Sequence, residues 1–198
     1  MRNCVGRVGD TLQRIARWVV RFRKRKGYGV HSPFAFNFIT NVIYEDGCFY
    51  AYKEFKDTYG LSVHRFCRLK DYQLLFRLAN YQQAKVACMV GKTGDELLQK
   101  VLKKGCMQMS LCKTEFLESG KYDLIIAYDD WEHQADTLLN HLNNNGVLIV
   151  KGLDKNKKNF WQKLLQQPQA QVAFDLYDFG IVFYRPDLQR QHYVVNYF

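Results

Sequence analysis

Residues 85–112 read KVACMVGKTGDELLQKVLKKGCMQMSLC. A short apolar run, Lys85 to Val90, is broken by Gly91-Lys92-Thr93-Gly94 and followed by a helical stretch from Asp95 to Lys104. A second candidate strand, Cys106 to Leu111, closes the unit. Strand, glycine turn, helix and strand in this order predict a parallel βαβ unit. Downstream, Tyr122 to Tyr128 (YDLIIAY) is a stronger strand and His133 to Leu142 reads as a helix. Asn143-Asn144-Asn145-Gly146 signals a turn into a buried strand, Val147 to Val150. A helix from about Asn156 to Gln167 stops before Pro168, and three strand-like stretches follow: Gln171 to Leu176, Gly180 to Tyr184 and His192 to Phe198. Short apolar strands alternating with helices predict an α/β fold with a mainly parallel sheet. The close-set final strands predict an antiparallel hairpin on its edge.

Upstream, His31-Ser32-Pro33-Phe34 opens another helix, with Ser32 as N-cap and Pro33 at the first helical position. Its apolar face is Phe34, Phe38, Ile39 and Val42. Residues 45–61 are aromatic but aperiodic and read as loop. Asp71 caps a helix running to about Tyr81. The first 30 residues differ in charge from the rest. They hold nine basic residues against Asp10 alone, so they supply +8 of the net +10. Leu12, Ile15, Trp18, Val19 and Phe22 form one apolar stripe there, with Arg14, Arg17 and Arg21 opposite. A basic amphipathic helix over residues 12–26 either docks on the domain or meets nucleic acid, an anionic membrane surface or an acidic protein. The predicted organisation is a basic helix in 1–30, a helical cap in 31–84 and an α/β domain in 85–198.

Composition narrows the function classes. A chain of 198 residues with 47% hydrophobic and 15% aromatic content builds a core, which excludes global disorder. No apolar run approaches the ~20 residues of a membrane helix. The N-terminal MRNCVGRVGD lacks the apolar region of a secretion signal. Six scattered cysteines without a CxxC pair then read as reduced thiols of a cytoplasmic protein.

In an open α/β sheet a ligand binds at the carboxyl ends of the strands. Gly91 to Gly94 lies at such an end, where glycine lets backbone approach a ligand and the next helix start favours anions. It is otherwise an ordinary tight turn. It is not a phosphate-cradling GxxxxGK[ST] loop, because the leading glycine would fall at Val86. Asp129 and Asp130 end the strand YDLIIAY, with His133 just beyond. Carboxylates placed there bind a ligand, hold a metal, accept a proton or cap the next helix. Lys151 ends the neighbouring strand at the same edge, can pair with either aspartate, and disfavours a divalent cation there. His31, His64, His141 and His192 show no metal-ligand spacing, so no metal site is predicted.

The order strand–GxxG–helix–strand, then YDLIIAYDDWEH, NNNGVLIVKG and FDLYDFGIVFYRP, resembles the class I S-adenosylmethionine-dependent methyltransferases. The YGVHSPFAF segment and the GIVFYRP…QHYVVNYF ending resemble a Bacteroidetes branch of that group. The resemblance implies a Rossmann-like doubly wound sheet with a late antiparallel strand. It implies S-adenosylmethionine as cofactor, held by Gly91, Lys92, Thr93, Gly94, Glu115 and Asp129. Asp129, Asp130 and His133 would position a small-molecule methyl acceptor or take its proton.

Three departures accompany the resemblance. Met89 stands where the family has an acid before its glycine loop. Only KTEFLESGKY separates Cys112 from Asp123, which is too short for a helix of ~11 residues and a strand of ~5. The second half-unit is therefore shortened, and Glu115 is the nearest candidate for the acid that holds the ribose. Lys151-Gly152 replaces the second metal-binding position of the cation-dependent relatives. The chain reads either as an active methyltransferase or as a degenerate one retained as a binding or scaffolding module, and three losses in one pocket favour the second.

Overall fold

The structure is a computed structural model that describes residues 27, 29–61, 67–92, 96–153 and 157–197. The basic helix expected over residues 12–26 lies outside the described residues, as do Thr93 and Gly94.

The first helix, α1 (Pro33–Phe38), starts where the sequence places it. Ser32 accepts from the Ala35 amide at 3.4 Å, and Pro33 occupies the first turn. α1 runs into a π-turn, Ile39–Ile43, and Phe38, Ile39, Val42 and Ile43 are buried. Residues 45–61 are not all loop: Tyr52–Leu61 forms α2. α3 (Leu69–Gln82) follows, and Asp71 sits inside its first turn instead of at the cap position. From there its carboxylate accepts from the Arg68 amide at 3.0 Å, which satisfies one of the helix's unpaired N-terminal donors.

The α/β part contains β1 (Val86–Val90), α4 (Glu96–Gly105), β2 (Ser110–Thr114), β3 (Tyr122–Ala127), β4 (Leu142–Lys151), α5 (Lys158–Gln166), β5 (Val172–Asp175), β6 (Phe179–Phe183) and β7 (Gln191–Val194). The sheet has seven strands in the order β2-β1-β3-β4-β6-β5-β7. Every pairing is parallel except those of β6, which is antiparallel to β4 and to β5. The expected hairpin is β5–β6, and β7 adds a further parallel strand outside it.

Three sequence expectations are corrected. Cys106 to Leu111 is not one strand: Gly105 ends α4, Cys106 to Met109 make a turn, and β2 begins at Ser110. His133 to Leu142 is not one helix but two short 3₁₀ turns, Trp131–Gln134 and Leu138–His141. Asn143 to Gly146 is not a turn ahead of the strand but bulges inside β4. There Asn145 takes φ 65° and the register with β3 shifts between Tyr122 and Leu124.

The strands bury both faces, so alternate residues enter different cores. Ala87, Met89, Leu124, Ile126, Val147 and Ile149 face the layer of α1 to α4. Cys88, Val90, Ile125, Ala127, Leu148 and Val150 face the 3₁₀ turns and α5, where Trp131, Leu138 and Trp161 close the second core. Where α3 and α4 meet, a Cβ at Gly105 would lie 2.6 Å from the Phe76 carbonyl oxygen, so only glycine permits that approach. Two bonds tie the chain after β7 to the cap. The Tyr44 hydroxyl donates to the Asn196 carbonyl, and the Tyr197 hydroxyl donates to the Lys70 carbonyl at 2.8 Å.

Candidate functional site at the carboxyl edge

From β1 the chain passes through α4 out to β2 and then returns to the other side of β1 as β3. The strand order therefore reverses between β1 and β3, and the crevice outside their carboxyl ends is where such a sheet takes a ligand. Gly91, the first residue beyond β1, is buried there. Its amide donates to the Thr114 carbonyl at 2.9 Å, and the Tyr128 amide donates to the Val90 carbonyl at 3.1 Å. The Tyr128 ring lies against Gly91 so closely that a Cβ would fall 2.5 Å from its Cε2. Gly91 is thus required by the packing of an aromatic ring, a role the sequence does not announce.

Lys92, Glu115 and Asp130 come together at this edge. Lys92 Nζ lies 3.1 Å from Asp130 Oδ2 and 3.9 Å from Glu115 Oε1. All three side chains are about half exposed, so the pairs are water-screened and weak. The hydrogen bond from Lys92 and its charge hold the Asp130 carboxyl below its ordinary range, and the same bond raises Lys92. Asp130 precedes the 3₁₀ turn with φ 44°, and its side chain does not cap that turn. Its cation is Lys92 from the β1 loop, not the neighbouring Lys151. Asp129 is half-buried beside it. His133 is exposed on the turn, its amide donating to the Asp130 carbonyl at 3.2 Å. Met89 is fully buried in the first core, and Trp131 is fully buried with Nε1 donating to the Lys151 carbonyl at 2.8 Å.

The missing half-unit is replaced by the loop 115–121. Gln134 holds it from the 3₁₀ turn, accepting from the Leu117 amide and donating to the Glu115 carbonyl, both at 3.0 Å. Lys121 Nζ donates to the Asn140 carbonyl at 2.6 Å, and His141 Nδ1 lies 3.1 Å from the Gly120 oxygen. Glu115 is thereby fixed close to the end of β2 and in reach of Lys92.

Sequence reasoning missed a second concavity. A cavity of about 460 Å³ opens between residues 43–48, α3 and residues 196–197. Arg77, only 7% exposed, lines it. Its guanidinium donates to the carbonyls of Val42 at 2.6 Å and Ile43 at 3.2 Å and to the Tyr52 hydroxyl at 2.7 Å. The signal available in sequence was a lone arginine amid the apolar residues of α3. Among the described residues no three His, Cys, Asp or Glu side chains converge as metal ligands. No described helix is long and apolar enough to cross a membrane.

No protein-family profile matches the chain, and no curated protein sequence is similar to it. Solved structures are similar in shape. The methyltransferase PaMTH1 of Podospora anserina, bound to SAH, superposes with a TM-score of 0.52 at 13% identity, covering 71% of this chain and 89% of that one. The fold is that of the class I methyltransferases. An O-methyltransferase from Bacillus cereus in complex with SAH has a TM-score of 0.43 at 11% identity over 70% of this chain and 92% of that one. TomG, an O-methyltransferase of Streptomyces achromogenes involved in tomaymycin synthesis and solved with SAM, scores 0.47 at 10% identity over 70% and 91%. In this version of the methyltransferase fold β2 is an edge strand, so the shortened second half-unit expected from the sequence is present.

Proposed function

We propose that the protein binds S-adenosylmethionine at the carboxyl edge between β1 and β3, in a reduced pocket that supports little or no methyl transfer. The observation that carries this reading is the gathering of Gly91, Lys92, Glu115 and Asp130 at the strand-order reversal of a sheet that stops at β2. The neighbouring folds solved with SAM or SAH support the cofactor class. In this reading the loop 91–94 meets the methionine part, Glu115 takes the ribose hydroxyls once Lys92 turns away, and Asp129 lies on the acceptor side with Asp130 and His133. Methyl transfer needs chiefly an aligned acceptor and methyl group. A sheet that ends at β2 lacks the wall that would fix the adenosine, so alignment is lost before binding is.

Calorimetric titration with S-adenosylmethionine and S-adenosylhomocysteine tests this. We expect weak, saturable binding that Glu115→Ala and Asp129→Ala each reduce further, without turnover of any small-molecule acceptor. No heat from a folded chain would remove the cofactor assignment. Tight binding with turnover would restore a full methyltransferase.

The charge asymmetry favours a second role. We propose that residues 12–26 hold an anionic partner, with nucleic acid, an anionic membrane surface and an acidic protein as the classes to separate. The +8 carried by residues 1–30 supports it. Binding to duplex DNA or to anionic vesicles should fall steeply with salt and vanish when Arg21 to Lys26 are neutralised. Salt-independent binding would exclude it.

A further inference from the structure

The described cysteines are all free thiols. Two of them stand side by side. Cys88 on β1 and Cys112 on β2 are direct partners in the parallel register, so their side chains share a face of the sheet. Adjacent strands lie about 4.8 Å apart, inside the Cα separation that a disulfide spans. The two thiols and the Tyr122 hydroxyl lie near enough to influence one another electrostatically. Their accessibilities are opposite: Cys88 is fully buried in the second core, whereas Cys112 is exposed. Cys112 is exposed because β2 is the edge of the sheet.

We propose that Cys88 and Cys112 are a modification site, a reversible cross-strand disulfide formed by thiol–disulfide exchange with a small-molecule disulfide such as oxidised glutathione. The exposed Cys112 thiolate attacks one sulfur of the oxidant, whose S–S bond breaks and releases one glutathione thiolate. Cys88 then loses its proton and attacks Cys112 Sγ. The Cys88–Cys112 bond forms as the second glutathione thiolate leaves. Two protein thiols are oxidised and one small disulfide is reduced to two thiols, so electrons and protons balance. Burial holds the Cys88 thiol well above its ordinary range, so the second step is the slow one. An exposed thiol that reacts first, beside a buried one that resolves it, is the arrangement of a reversible thiol sensor.

Its place in the fold gives the bond an effect. Cys88 lies three positions before Gly91, and Cys112 three before Glu115. A link there pins the edge strand to β1 directly below the two loops of the candidate site. An edge strand with one neighbour is the strand most prone to fray, so the link should raise the midpoint of thermal unfolding.

The experiment treats the folded, full chain with oxidised glutathione, blocks the remaining thiols with iodoacetamide, and maps the digested peptides by mass spectrometry. We expect a disulfide-linked pair of peptides carrying Cys88 and Cys112. It should be reversed by dithiothreitol, absent from Cys112→Ser and retained in Cys48→Ser, with a higher unfolding midpoint only where the link forms. In Cys88→Ala, Cys112 should stay as a glutathione adduct. The proposal is overturned if wild-type Cys112 accumulates as that adduct with Cys88 still alkylatable, if it links to Cys112 of a second copy, or if it stays unmodified.

Discussion

Two aspartates at opposite ends of β3 illustrate how position decides the work of one residue type. Asp123, at the start, accepts from the amides of Lys85 at 2.9 Å and Val86 at 3.1 Å and from Asn143 Nδ2 at 2.8 Å. Partial burial opposes its charge, but the bonds from Asn143, Val86 and Lys85 outweigh it and depress the carboxyl. A depressed carboxyl stabilises fully above the unfolded value, near pH ~4, and loses that contribution as pH falls through the folded value. Asp123→Asn turns an NH₂ group toward donors and should destabilise by about 1–2 kcal/mol at neutral pH. It should also flatten the decline below pH ~4, as read by urea unfolding at several pH values. Asp130, just beyond the other end of β3, pairs instead with half-exposed Lys92. The strand-end carboxylates were legible in sequence, but the partner was not. Lys151 is nearer along the chain, but Lys92 comes from β1, which the strand order also places beside β3.

At the scale of the element, the hidden feature is α2. Tyr52, Phe55 and Tyr59 have helical spacing, but the aromatics Phe49 and Tyr50 just before them blur the period. Phe49, Tyr52 and Phe55 all pack on Phe76 of α3, so the segment is set by tertiary contact more than by its own pattern. The NNNG turn was misread for a similar reason. Asn145 donates to the Tyr184 carbonyl at 2.8 Å and Gly146 accepts from the Tyr184 amide at 2.9 Å, so β6 extends β4 through what looks locally like a break. By contrast, the start of α1 was legible to the residue, because Ser32 and Pro33 act through local chemistry alone. Arg77 joins α3 to the π-turn and α2 through three hydrogen bonds. Arg77→Ala leaves two buried carbonyls without their donor and should destabilise by about 2–4 kcal/mol. Guanidinium chloride unfolding measures this, and a loss under 1 kcal/mol would mean that water replaces the guanidinium.

For the molecule as a whole, the sheet ends at β2 on one side and at β7 on the other. Beyond β7, residues 196 and 197 reach the helical cap, through Tyr44 and Lys70. Those two bonds close spans of 152 and 127 positions. Bringing such distant segments together is entropically opposed, so contacts of this range form after the local ones have built a frame. The clasp should therefore be absent from the folding transition state and act as a brake on leaving the native state. Tyr197→Phe, which removes about 1 kcal/mol, should speed unfolding about fivefold and leave refolding unchanged in stopped-flow chevrons. A slowed refolding arm would instead put the clasp in the nucleus. The segment that follows β7 should thus set how long the folded molecule lasts, independently of the chemistry at the carboxyl edge.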